Sequence, residues 1–460
     1  MTDQFDGLFD WDESEDLDAL DTDEDPPLAD DIIDEQRPRV ITALPAGDGS
    51  LVLRGPGAGR TIVPSSSALA GVPTTSAGKL PTRDEALDGS HALMIVHRPH
   101  QNIDDIPRLL ASILAETASD TSLGVSVRLP QAKPTAHAKW FDECAAAAVK
   151  IADPACYLLD PAIVRVKPIS ERQKGYAPYL ADPPPSVTEV LDAQREAGAN
   201  LLLSSGRALD PSEGQSALDV VFTEATAALA SLSGNERLAL NLTLPSQWLT
   251  RPTARNLLLD QLMEFSHFDL LYVRVQLPAG LSPFQQPIDP DLLEGYRKLA
   301  CFAADEERTL LLPQTGLTGW LLLGLGATGF GAGPYGSSHA FREEKAQPRG
   351  GNIQEVERYF EPALLHAVER SVHDVLSEDP TYVLCDCPYC PTLHEGAWTQ
   401  RGAKLHQLHW LGRLAADVMS GRSPISKVRR RVHAAQTAAN SALLSGQNIP
   451  RHLQAWDPLL

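Results

Sequence analysis

The chain has 460 residues, 43% of them hydrophobic, and a formal net charge of −21. That length suits one large domain with appendages, or two or three ordinary ones, with enough apolar material for a sizeable core. No run approaches 18 apolar residues and the N-terminus is acidic rather than basic and apolar, which argues against a membrane span or a secretory leader and for a cytoplasmic protein.

The charge is unevenly placed. Residues 1–36 hold 16 of the 60 acidic side chains and none of the 39 Lys and Arg, so the remainder carries only −5. A run such as Asp12-Glu13-Ser14-Glu15-Asp16 repels itself and is expected to form a disordered acidic tail, either solubilising or a docking segment for a protein partner. Residues 37–90 are rich in Gly, Pro, Ser and Thr, as in Gly55-Pro56-Gly57-Ala58-Gly59, and read as a linker or loosely attached arm.

From residue 91 short apolar runs alternate with helical spacing. Eight candidate strands fall at Ala92–Val96, Leu123–Val127, Cys156–Leu159, Asn200–Leu203, Leu238–Leu244, Leu270–Val275, Thr309–Leu312 and Gly329–Gly333. Between them Ile106–Thr117, Ala138–Ile151, Ser186–Ala197, Ala217–Leu232, Thr253–Phe265, Leu292–Ala304 and Thr318–Leu325 carry the periodicity of amphipathic helices. Strands alternating with helices imply parallel pairing through crossovers, and eight units over residues 91–350 favour a closed (β/α)8 barrel, an α/β fold of the TIM type. Carboxyl ends of barrel strands form the reactive face. Asp160, in Leu158-Leu159-Asp160-Pro161, is therefore a candidate acid or base, although Asp before Pro also initiates turns. Gly331 and Gly333 in Gly329-Phe330-Gly331-Ala332-Gly333, with Arg342 nearby, could cradle a phosphate after the last strand, or simply permit a tight turn. His97-Arg98-Pro99-His100 ends the first strand at the same face.

Residues 351–460 read as a helical C-terminal region. A helix is expected from Ile353 to Leu376 and another from Ala403 to Met419. Between them lies Cys385-Asp386-Cys387-Pro388-Tyr389-Cys390. Three thiols in six residues can supply three corners of the tetrahedron that Zn²⁺ requires, with His394, His406 or His409 as the fourth ligand. Four protein ligands make such a site closed and structural. The other cysteines, Cys144, Cys156 and Cys301, are isolated, as buried reduced thiols are. Lys427, Arg429, Arg430 and Arg431 form a basic run, either a solvated helix face or a phosphate-contacting patch for nucleic acid.

The stretch Leu405-His406-Gln407-Leu408-His409-Trp410-Leu411-Gly412-Arg413-Leu414, following the Cys-x-Cys-x-x-Cys motif, resembles the zinc region of the tRNA-guanine transglycosylase family. The resemblance implies a (β/α)8 barrel, His406 as the fourth zinc ligand, a tRNA or DNA substrate, nucleobase exchange through an Asp nucleophile, and a dimer. The interval from Cys390 to His406 is about ten residues shorter than in the family. The family's nucleophile, in a Phe-Asp-Cys-Val motif at the last barrel strand, corresponds to Gly331, which offers no nucleophile. Its Thr-Asp-Ser-Gly-Gly-Phe-Gln motif has only Asp160 as a partial counterpart. Phe141-Asp142-Glu143-Cys144 matches a family tetrapeptide but in the wrong order along the chain. A catalytically silent scaffold that binds nucleic acid or a protein is thus the leading expectation, with an active base-exchanging or nucleoside-modifying enzyme as the alternative.

Overall fold

Eight parallel strands form the centre of the molecule: β1 (Ala92–His97), β2 (Thr121–Arg128), β3 (Val149–Asp153), β4 (Leu202–Leu203), β5 (Leu238–Pro245), β6 (Leu270–Gln276), β7 (Thr309–Leu312) and β8 (Gly329–Ala332). This computed structural model describes residues 80–460 apart from 118–120, 181–184, 280–284, 345–355, 381, 383, 421–422 and 443. The acidic tail and most of the 37–90 arm lie outside the described residues. The strands pair in the order β3-β2-β1-β8-β7-β6-β5-β4, and a parallel bridge between Ile151 and Leu201 joins the two ends into a nearly closed barrel.

Residues on alternate positions divide the core, as the two-residue strand period requires. Leu93, Ile95, Ile151, Leu203, Tyr272 and Leu311 point into the barrel, whereas Met94 and Val96 meet the surrounding helices. Those helices are α1 (Arg83–Leu87), α2 (Asp105–Thr117), α3 (Pro134–Glu143), α4 (Pro161–Val164), α5 (Glu171–Tyr176) and α6 (Val187–Glu196) in the first half. The second half contributes α7 (Gln215–Ala230), α8 (Gln247–Thr250), α9 (Pro252–Glu264), α10 (Pro290–Asp305), α11 (Gly316–Leu323) and α12 (Gly336–His339). Helix α1, at the end of the predicted linker, is fixed by a capping box between Thr82 and Glu85. It closes the amino end of the barrel by adding Ala86 and Leu87 to the interior cluster.

Among the described residues, the chain after β8 makes only the single turn α12 before the C-terminal hairpin, and no crossover helix of the kind that follows the other strands covers β8 and β1. That place is taken from further along the chain. The C-terminal region contains the hairpin β9 (Arg358–Glu361) and β10 (His366–Glu369), then α13 (Arg370–Ser377), α14 (Cys390–His394), α15 (Gln400–Met419), α16 (Pro424–Ser441) and α17 (His452–Trp456). Helix α15 lies against α2, α11 and β1. Its Leu408, Leu411, Leu414 and Val418 share one apolar cluster with Met94, Leu110 and Trp320. Gly412 permits the approach to α2, because a Cβ there would lie 2.7 Å from Ile113 Cγ2.

Two elements differ from the sequence expectation. The third strand is Val149–Asp153, not Cys156–Leu159, which forms a 3-10 turn. The Ala-rich run before it reads as continuous helix, but α3 stops at Glu143 and the β-branched Val149 and Ile151 pair with β2. Tyr157 and Leu158 are apolar because they cover the barrel mouth, and Cys156 and Leu159 because they pack in the outer helical layer, not because the segment is a strand. The helix expected over 353–376 is instead β9, β10 and α13, with 353–355 outside the described residues. Leu365 adopts a left-handed φ of 47° in the hairpin turn, which no continuous helix accommodates.

Because β4 is only two residues long, its junction with β3 rests on two backbone bonds, from the Asn200 and Leu201 N–H groups to the Lys150 carbonyl, and on one side chain. Asn200 accepts from the Lys150 N–H at 2.7 Å and donates to the Ala148 carbonyl at 2.9 Å. Replacing Asn200 with Ala leaves both backbone groups without that partner and is expected to cost about 1–3 kcal/mol, read as a lower urea midpoint. An unchanged midpoint would show that the bridge alone closes the barrel.

Candidate metal centre and barrel mouth

Cys385, Cys387, Cys390 and His406 come together as the motif requires: one ligand atom from each lies within 4.8 Å of the others. The loop is folded for the purpose. The Cys387 N–H points at Cys385 Sγ (3.4 Å), and the Cys390 N–H donates to the Cys387 carbonyl as the chain enters α14. His406 arrives from the second turn of α15, with Nδ1 3.3 Å from Cys387 Sγ and 3.1 Å from Cys390 Sγ. Cys387, Cys390 and His406 are fully buried and Cys385 partly so. Zinc bonds of about 2.3 Å to sulfur and 2.0–2.1 Å to nitrogen fit a cluster of this size after small adjustments, and a thiolate-rich donor set suits Zn²⁺ above harder cations. The residues present therefore fit a Cys3His site for an ion such as Zn²⁺, which would cross-link the loop to α15. The short Cys390–His406 interval is no obstacle, because only five residues, Glu395 to Thr399, separate α14 from α15.

Several surrounding groups orient these ligands and were not legible in the sequence. His406 donates its Nε2–H to the Phe360 carbonyl at 2.9 Å, which leaves Nδ1 to face the sulfurs. The Trp410 indole N–H donates to Cys385 Sγ at 3.1 Å, and the Tyr359 hydroxyl lies 3.1 Å from Cys390 Sγ. Arg413 donates to Glu116 on α2 (2.6 Å) and to Asp386 in the metal loop (2.9 Å), tying that loop to the barrel. His409 is not a ligand; its Nε2 lies 3.3 Å from Glu116. His394 lies beyond Tyr359, beside His373.

The barrel mouth is built around a buried ion pair. Arg274, at the end of β6, donates to Asp153 at the end of β3, and the two side chains are 1% and 3% exposed. Arg274 also donates to Gln314 Oε1 (2.9 Å) and Thr243 Oγ1 (3.1 Å). The Tyr157 ring packs on its guanidinium at 4.7 Å, with Phe341 at 5.7 Å. Tyr157, Leu158, Val164 and Phe341 form one apolar cluster over this pair. Asp153 escaped the sequence reading because its strand was misplaced; Val149-Lys150-Ile151-Ala152-Asp153 before Pro154 is the signal that could have found it.

The predicted mouth residues are placed as follows. Asp160 pairs with Arg207 at 2.8 Å and accepts from the Ala208 N–H, linking the loops after β3 and β4. A Cβ at Gly331 would lie 2.6 Å from His97 Nε2 and 3.0 Å from Pro313 Cα. A Cβ at Gly333 would meet Ser338. His97 is half-buried and accepts from the Gln314 N–H at 3.3 Å; desolvation, then the charge of Arg274, lowers its pKa to about 3. Arg342 donates to the Gln285 carbonyl, and burial lowers its pKa to about 10. A cleft of about 250 Å³ lies at the rim, lined by Ile163, Arg165, Asp210, Gln276 and Glu343. Of its carboxylates, Glu343 pairs with Arg165 and Asp210 caps the Ser212 turn. In the basic run, Lys427 donates to the Asp417 and Ser420 carbonyls and Arg431 pairs with Asp417, while Arg429 and Arg430 point to solvent.

No family model, curated protein or solved structure matches this chain. Among the described residues, no helix is long and apolar enough to cross a membrane.

Two outcomes follow. Purified protein is expected to retain about one equivalent of zinc through dialysis, and Cys387→Ser to lose it together with thermal stability; retention of zinc by that variant would remove the site. Arg274→Met strands the buried Asp153 carboxylate and is expected to cost about 3–5 kcal/mol, whereas adding Asp153→Leu recovers much of that loss. Equal destabilisation of the single and double variants in urea would count against the ion pair as the organising contact.

Proposed function

We propose that this protein is a zinc-stabilised barrel of transglycosylase type that has no base-exchange activity and acts as a docking scaffold for another protein. The observation that carries this reading is Gly331. The position corresponding to the family's nucleophile bears no side chain, and its surroundings hold no room for one. Without a nucleophile the covalent route is lost. The closed mouth supports the same conclusion, since Tyr157, Leu158 and Phe341 occupy the place where an extruded base would have to enter. Asp160 is committed to Arg207, and Asp153 to Arg274, so neither faces a base-sized cavity as a free carboxylate.

A protein partner has more support than nucleic acid. The chain outside the tail has no surplus of positive charge, and two of the four residues in the basic run serve Asp417. Two remaining arginines give a weak phosphate footprint, with a salt slope no steeper than about −2. A reducing cytoplasmic setting is part of this proposal, as every described cysteine is free and the zinc cluster requires thiolates.

The test is incorporation of radiolabelled guanine into tRNA and into DNA by the full chain. No incorporation above a protein-free control is expected, for wild type and for Asp160→Ala alike. Incorporation by wild type that Asp153→Ala or Asp160→Ala abolishes would establish the enzyme instead. Gly331→Asp is expected to restore no exchange and to cost about 1–3 kcal/mol through overpacking against His97 and Pro313.

A further inference from the structure

Beyond the Cys3His cluster, on the far face of the Tyr359 ring, lies a second group of metal-binding side chains. Tyr359 is sandwiched between two imidazoles: His406 stacks at 4.3 Å on one side and His373 at 3.7 Å on the other. His373 comes from α13 and its side chain is 2% exposed. Its Nδ1 lies 2.5 Å from Glu361 Oε1, and the Tyr382 hydroxyl donates to the other oxygen of that carboxylate at 3.0 Å. Glu361 itself is fully buried in β9.

This arrangement fixes the imidazole with Nδ1–H toward the carboxylate and directs the Nε2 lone pair away from it. His373 Nε2 is buried and has no hydrogen-bond partner among the described residues, and the same holds for His394 Nε2, at the end of α14. The two rings are 5.2 Å apart, centroid to centroid. Two imidazoles on one tetrahedral ion, each bonded at about 2.0–2.1 Å, hold their centroids roughly 5 Å apart. A carboxylate on the far nitrogen is also the usual support of a metal-bound histidine, which it orients and makes more basic. Arg370, which lies over the Trp398 ring neighbouring His373, is paired with Glu357 and Asp374, so its charge is locally met.

From this geometry we infer that His373 and His394 form a second binding site for a borderline divalent transition-metal ion such as Zn²⁺ or Co²⁺, with Glu361 positioning His373. Two protein ligands leave the remaining coordination positions to water. The site is consequently weaker and more exchangeable than the thiolate cluster, and it empties on dialysis while the cluster keeps its ion. No thiolate takes part, which gives the two sites different spectra.

The experiment is a Co²⁺ titration of the full-length protein carrying its dialysis-resistant zinc, followed by visible absorption and equilibrium dialysis. Wild type is expected to take up about one further equivalent, with weak d–d bands and no thiolate charge-transfer band. His394→Ala, at a half-buried helix end, and His373→Gln are each expected to weaken that uptake about ten-fold or more while retaining the tight zinc. Glu361→Gln is expected to weaken it about 10–100-fold. No uptake by wild type would overturn the site and indicate a water bridging the two imidazoles. Uptake unchanged in His394→Ala would overturn it equally. A thiolate charge-transfer band would show that cobalt had entered the cysteine cluster, and would overturn the inference if the extra equivalent were accounted for there.

Discussion

The structure depends on helix α15 being buried on two sides at once. One side supplies Leu408, Leu411, Leu414 and Val418 to the apolar layer outside β1, where, among the described residues, α12 is the one turn of helix between β8 and the C-terminal hairpin. The other side presents His406 to the three cysteines. A zinc ion in that cluster would therefore cross-link the helix that completes the barrel to the loop and hairpin that precede it. Metal binding and barrel closure become one linked equilibrium, since a site that exists only in the folded state adds its binding free energy to folding. Arg413, reaching both Glu116 on α2 and Asp386 in the metal loop, reinforces that link without itself touching the sulfurs.

At the carboxyl ends of the strands a different constraint operates. A buried guanidinium is costly unless it is paired and hydrogen-bonded, and Arg274 is provided with Asp153, Thr243 and Gln314. The aromatic and aliphatic cover formed by Tyr157, Leu158 and Phe341 then excludes water from the pair. In an open barrel these same strand ends would line a reaction chamber. Here Arg274, Asp153, Thr243 and Gln314 satisfy one another.

Much of this was legible in the chain, for identifiable reasons. Strands such as Leu270–Val275 and Thr309–Leu312 are short apolar runs bounded by turns, and their assignment held. The Cys-x-Cys-x-x-Cys spacing is local, so its geometry survives whatever the rest of the fold does. The errors arose where apolar character serves contacts distant in sequence. Tyr157 and Leu158 are apolar because they pack with Phe341 over Arg274, Cys156 and Leu159 because they meet the outer helical layer, and Ala363-Leu364-Leu365 because the hairpin turn is buried against α16. Periodicity cannot distinguish those causes from a strand or a helix.

The sequence by itself determined the barrel class and the local spacing of the three cysteines, because each depends on composition or on spacing within a few residues. Only the tertiary structure decided that α15 replaces the eighth barrel helix, that Asp153 rather than Asp160 meets Arg274, and that His373 and His394 lie side by side. Those pairings join residues separated by tens to hundreds of positions, and their partners are chosen by the packing of whole helices and strands rather than by any local pattern.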